Sequence, residues 1–234
     1  MSGTLYGLGV GPGDPDLITV KALKILRAAP VIAYPAPETG DSLARAIVAS
    51  HLPGGQTEIA IRIPIQIARH PAQEVYDHAS EDIAAHLDAG RDVAAICEGD
   101  PFFYGSFMYL FHRVAERHAV EVVPGVSSLT ACASALAAPL AARNDVLSVI
   151  PAPLDEAALR ARLDAADAVA IIKIGRHFAK VRRVLEAAGL AGNARYIEHA
   201  TMASQRVFRL CDVPPDSVPY FSMVLVHRRG EAWK

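Results

Sequence analysis

Short apolar runs rich in valine and isoleucine alternate with helix-patterned stretches along most of the chain, and that alternation restricts the fold more than any other feature. Candidate strands are "TLYGLGV", "PVIAY", "TEIAIRIPI", "DVAAIC" and "VEVVP", followed by "VLSVIP", "AVAIIK", "ARYIEH", "QRVFRL" and "YFSMVLVH". Residues 41–51, 71–89, 105–118, 126–138, 155–166 and 176–188 carry helical patterns between them. Val75, Ala79, Ile83 and Leu87 recur every fourth position, and Gly90 follows as a helix-ending residue. Ile59, Ile61, Ile63 and Ile65 alternate strictly, the period of a strand with one buried face. Strand–helix alternation of this kind predicts an α/β protein with a largely parallel sheet. The last 40 residues change character, because strands follow one another there without long helices. An α/β half over residues 1–119 and an α+β half over 120–234 are therefore expected, divided at "HAVEVVPG".

The first strand runs through "LYGLGVGPGDPDLITVKALKIL", where Gly7, Gly9, Gly11 and Gly13 alternate. A strand, a glycine loop and a helix form the usual frame of a phosphate cradle, but the spacing is wrong. Counting six positions from Gly7 reaches Pro12, and from Gly9 reaches Asp14, so G-x-G-x-x-G fails. Pro12 and Pro15 lack the N–H that a phosphate would need, and Asp14 and Asp16 add charge of the wrong sign. Asp14 reads instead as an N-cap with Pro15 at the first helical position. The helix that follows buries Ile18, Ala22, Ile25 and Ala29.

Composition excludes several classes. Lysine and arginine number 23 against 25 acids, for a net charge of −2, so no basic surface marks a nucleic-acid partner. Nothing approaches eighteen consecutive apolar residues, and no membrane span is expected. The opening "MSGTLYG" has no basic-then-apolar leader, and Cys97, Cys132 and Cys211 are odd in number and far apart. Both features fit a reducing, cytoplasmic setting. No histidine or cysteine spacing suits zinc, so no metal is expected, and the absence of G-x-S-x-G disfavours a serine hydrolase.

Chemistry is expected at strand ends, where α/β proteins bind ligands. "CEGDPFFYGSFMYLF" places Glu98, Gly99 and Asp100 at one such end, then Phe102, Phe103 and Tyr104 ahead of a helix that uses Phe107, Leu110, Phe111 and Val114 as core. Asp100 is either a turn cap or a base. Ser127 and Ser128, after "VVPG", either cap a helix or receive a carboxylate at its N-terminus. "VIAYPAPETGDS" ends a strand in prolines with Tyr34 and Glu38 above it, and "EHATMAS" puts Ala200 and Thr201 in a small-residue corner. Together these describe a two-part α/β enzyme with an aromatic cleft fed by several strand ends.

In order along the chain, "LGVGPGDPDLITVKA", "EGDPFFYG", "PGVSS", "KIG" and "EHATMASQRV" resemble the tetrapyrrole (corrin/porphyrin) methylase family. The resemblance covers almost the whole chain. It implies two α/β domains with mixed sheets, an active-site trough between them, a homodimer, and methyl transfer from S-adenosylmethionine (SAM). It also implies a cofactor site at Pro12, Glu98, Gly99, Asp100, Phe103, Ser127, Ser128, Ile174 and Ala200, with Met223 along the same wall. "VIAYPAPETGDSLARAI" and "EGDPFFYGSFMYLF" are similar to the branch that methylates C-20 of precorrin-2, or of cobalt-precorrin-2, to give precorrin-3A in cobalamin biosynthesis. The uroporphyrinogen branch has Tyr-Asp where this chain has Tyr34-Pro35, which argues against that substrate. Asp100 and Glu38 are then the candidate proton acceptors, and Arg62, Arg69, Arg143 and Arg176 candidate partners for substrate carboxylates. The alternatives are another corrin-ring methylase or a nicotinamide-dependent oxidoreductase using the glycine loop.

Overall fold

The computed structural model describes residues 2–64 and 73–232. It divides into two compact units, Met1–Ser127 and Ser128–Lys234.

The first unit is built on one sheet of β1 (Thr4–Gly9), β2 (Val31–Pro37), β3 (Thr57–Ile63), β4 (Val93–Cys97) and β5 (Ala119–Val123), in the order β3-β2-β4-β1-β5. All four pairings are parallel. β4 is buried at every position, as expected of a strand covered on both faces. One face packs α1 (Val20–Ala28) and α2 (Leu43–Ile47) through Ala22, Leu26, Ala44 and Ile47. The other packs α3 (Gln73–Asp88) and α4 (Phe107–Val114) through Tyr76, Ile83, Leu87, Phe107 and Leu110.

The second unit holds α5 (Ser128–Ala135), β6 (Leu147–Pro151), α6 (Glu156–Ala165), β7 (Ala168–Ile172), α7 (Phe178–Ala187), β8 (Ala194–Glu198), β9 (Arg206–Arg209) and β10 (Ser222–His227). Its sheet runs β6-β7-β10-β8-β9. β6 and β7 are parallel and the other pairs antiparallel, so this is the mixed sheet, whereas the first is wholly parallel between its named strands. Helices α6 and α7 cover one face around Leu159, Phe178, Val181 and Tyr196, and α5 covers the other around Cys132, Ile172, Ile197 and Leu225.

Two sequence expectations shift. The division falls after Ser127, not at 119/120, because β5 hydrogen-bonds to β1 and completes the first sheet. The helix after the glycine loop begins at Val20, capped by Thr19, and Asp14 caps only a short 3-10 turn over Pro15–Leu17. Leu26 joins Ala22 and Ala29 in the core, while Ile18 and Ile25 are only partly buried. Ile65 and the first two residues of the expected 71–89 helix lie outside the described residues. Gly90 ends α3 as expected, with a positive φ of 74°.

Candidate functional site

In the first unit, parallel pairing brings the carboxyl ends of β1, β2, β4 and β5 to one edge. Two of the loops there are joined main chain to main chain, and a third packs against them. Val10 N–H donates to Cys97 O at 3.0 Å, and Gly99 N–H to Gly11 O at 2.8 Å. Gly125, beyond β5, presses against the same two loops. A Cβ on it would lie 2.0 Å from Gly99 O and 2.7 Å from Gly9 Cα, and one on Gly9 would lie 2.5 Å from Gly99 O. No side chain fits at this junction. Gly7 is a glycine for a different reason: a Cβ there would meet the Phe107 ring at 2.4 Å.

Asp100 holds the junction. Its Oδ1 accepts from the N–H groups of Phe102 and Phe103 at 2.9 and 3.1 Å, and its Oδ2 from Gly125 N–H at 3.0 Å. Both oxygens are thus engaged by backbone, which makes Asp100 a clamp between two strand-end loops and not a carboxylate poised as a base. Glu98 is half-buried, and its Oε1 accepts from Ala44 N–H at 3.2 Å, tying β4 to the start of α2. Burial pushes its carboxyl above the usual range. Glu38 is exposed past the end of β2. Phe102, Phe103 and Tyr104 are 49%, 38% and 45% exposed, while Phe107, Leu110 and Val114 are core, the division the sequence spacing predicts. Pro12 is half-buried in the first loop. Tyr34 donates to Glu58, which also pairs with Arg45 at 2.9 Å, so its hydroxyl is spent within the sheet.

In the second unit the carboxyl ends of β7 and β8 share an edge with the start of β10. Left-handed backbone gathers there on residues other than glycine: Lys173 (φ 58°), His199 (φ 50°) and Thr201 (φ 70°). Such conformations cost of order 1–3 kcal/mol each and cluster at ligand-binding sites. Nothing in the residue types signals them, and the sequence reading missed them. The candidate residues themselves sit deeper than expected. Ile174 is fully buried among α6 and α7, and Ala200 (8% exposed) and Met223 (3%) belong to the core under α5. Their side chains therefore face the interior of the second unit. Ser127 is half-buried at the start of α5, and Ser128 is exposed.

Among the candidate arginines, Arg62 donates to Pro37 O at 3.1 Å, and Arg143 and Arg176 are exposed. Arg69 lies outside the described residues. Among the described residues no cluster of histidine, cysteine and acid could hold a metal, and no helix is long and apolar enough to cross a membrane.

Strand-end loops of this kind, with acids and not phosphate-binding N–H groups beside the glycines, sit on an α/β framework. The chain belongs to the tetrapyrrole (corrin/porphyrin) methylases, whose family profile matches residues 4–211. It is 41% identical to the precorrin-2 C(20)-methyltransferase of Sinorhizobium sp over 96% of this chain and 95% of that one. Identity with the cobalt-precorrin-2 C(20)-methyltransferase of Salmonella typhimurium is 34%, over 99% of both. A third relative, the cobalamin biosynthesis protein CobIJ of Mycobacterium tuberculosis, is 45% identical over 96% of this chain, which spans only 46% of that protein. Thus the chain covers about half the length of the Mycobacterium relative. Among solved structures, the Thermus thermophilus uroporphyrin-III C-methyltransferase complexed with S-adenosylhomocysteine has the same fold, with a TM-score of 0.71 at 22% identity over 97% of this chain and 98% of that one.

Proposed function

We propose that this protein transfers a methyl group from SAM to C-20 of precorrin-2, giving precorrin-3A. The observation that carries the proposal is the 41% identity with the Sinorhizobium precorrin-2 C(20)-methyltransferase across nearly the full length of both chains. That identity exceeds the 34% shared with the Salmonella enzyme named for the cobalt-bearing substrate, which favours the metal-free macrocycle.

The strand-end loops fit SAM chemically. Its sulfonium and ammonium groups are cationic, and Glu98, Asp100 and Asp14 put acids around a junction that offers little to a phosphate. The residues proposed to hold it are Pro12, Glu98, Gly99, Asp100, Phe103 and Ser127 in the first unit, and Ser128, Ile174, Ala200 and Met223 in the second. When bound, SAM supplies an electrophilic methyl carbon on sulfur. Displacement there needs in-line alignment more than acid catalysis, so rigid positioning by the loops is the chain's main contribution. In the overall change, a C–C bond forms at C-20, the C–S bond breaks, and the proton on C-20 leaves. With Asp100 engaged by backbone, Glu38 is the freer of the two candidate acceptors. Family resemblance also supports a homodimer.

The test is incubation under anoxia with SAM carrying a ¹³C methyl group and either metal-free or cobalt-loaded precorrin-2, followed by mass spectrometry and NMR. Label at C-20, faster on the metal-free substrate, is the expected result. Label at another ring carbon would assign the protein to a different corrin methylation, and no transfer to either macrocycle would refute the proposal.

A further inference from the structure

At the opposite edge of the second sheet, away from Ile174 and Ala200, lies a groove of about 720 Å³ between the end of α5 and the edge strand β9. Arg195, Arg209 and Arg229 line it, together with Asn193, Ala135 and Val207. Arg195 and Arg209 are direct partners in the antiparallel pairing of β8 with β9, so their side chains leave the sheet side by side on the same face. Like charges directly opposed on neighbouring strands destabilise a sheet. The other two arginines have acids to balance them: Arg209 pairs with Asp212 at 2.6 Å, and Arg229 with Asp145 at 2.8 Å. Arg195 is half-buried and has no acid or hydrogen-bond acceptor within reach among the described residues. Glu231, the one acid lining the groove among the described residues, already has a partner of its own.

A half-buried guanidinium without a counter-ion, set against a second arginine, is costly unless something anionic sits between them. We propose that this groove binds an organic anion through Arg195 and Arg209, a site separate from the strand-end loops of the methyl donor. Planar guanidinium forks side by side match the oxygens of a carboxylate. Ala135 and Val207, the latter 50% exposed, line one side of an otherwise polar groove, which suits a ligand carrying some hydrocarbon as well as its charges. The volume also lies within the range of small-molecule sites. The ligand class is therefore a small organic acid bearing more than one carboxylate.

Calorimetry on the whole protein with isophthalate, citrate and inorganic phosphate as probes tests this, alongside thermal melts in the same solutions. Wild type should bind isophthalate most tightly and melt at higher temperature in its presence. Arg195→Gln should weaken that binding by about tenfold or more and abolish the rise in melting temperature. The same variant should be no less stable than wild type in anion-free buffer, since the opposed charge is gone. Arg183→Gln, on α7, should bind as wild type does, and so should Arg195→Gln towards SAM. Absence of binding by all three probes, or equal binding in Arg195→Gln, would overturn the site. Tighter binding of phosphate than of isophthalate would overturn the ligand class. A lower melting temperature for Arg195→Gln in every buffer, with an unchanged response to isophthalate, would show that Arg195 only supports the fold.

Discussion

The two units shape the backbone at their strand ends by different means. In the first, Gly9, Gly99 and Gly125 let three loops touch where no Cβ fits, and Asp100 fastens two of them with three accepted hydrogen bonds. In the second, Lys173, His199 and Thr201 keep their side chains and take left-handed backbone instead. The first arrangement is close-packed and intolerant of any added atom. The second stores local strain, held in place by the sheet and helices around it. A glycine motif announces its turn in the sequence, whereas left-handed backbone on scattered ordinary residues does not.

The largest expected effect breaks the first arrangement. Gly125→Ala drives a Cβ into Gly99 O, and denaturant unfolding should show a loss of about 3 kcal/mol or more, up to failure to fold. A variant as stable as wild type would mean the junction has room. Asp100→Ala leaves three N–H groups without their acceptor and should cost about 2 kcal/mol. The same variant should lose SAM affinity in calorimetry through loop disorder. Retained affinity at reduced stability would separate the clamp from the cofactor.

The second unit should respond in the other direction. Ala137, just past α5, has a φ of 47°, with Ala138 N–H bonded back to Ala133 O in a helix-ending motif. Ala137→Gly should therefore stabilise by about 0.5–1 kcal/mol, read as a raised midpoint in urea. A loss would mean that the side chain contributes packing beyond its backbone strain.

The units also differ in acid response, which appears as slope more than as loss. Asp145 accepts from Ala142 N–H, Arg229 and His227, which hold its carboxyl down at about 2. Its contribution to stability is complete above the ordinary value of 3.8 and disappears as pH falls through about 2. Glu98 has the opposite sign. Burial raises its carboxyl above 4.5, so its ionisation costs stability, a cost absent below 4.5 and complete once pH exceeds the raised value. Stability curves should flatten between pH 4 and 2 in Asp145→Asn, and above pH 4.5 in Glu98→Gln. An unchanged slope in either variant would remove that group from the account.

Much of this architecture could be read from residue patterns, and the failures have physical causes. The ten strands and the helix spacings follow from periodicity, as does the split between core Phe107 and exposed Phe103. The boundary was misplaced because β5 belongs to the first sheet through pairing with β1, more than a hundred residues earlier, and periodicity carries no partner information. The engagement of Asp100 depends on where Gly125 N–H lies, which loop geometry alone decides. Burial of Ile174 follows from which sheet face it meets, and "KIG" does not encode that. The opposition of Arg195 and Arg209 exists only through strand register.

Contact of the strand-end loops with the methyl donor is the proposal on which the functional reading rests. Hydrogen–deuterium exchange with and without S-adenosylhomocysteine measures it directly. Slowed exchange is expected at residues 10–13 and 98–104 in the first unit and at 173–175 and 199–201 in the second, with α6 and α7 unchanged. Protection confined to other elements, or none at saturating ligand, would contradict it.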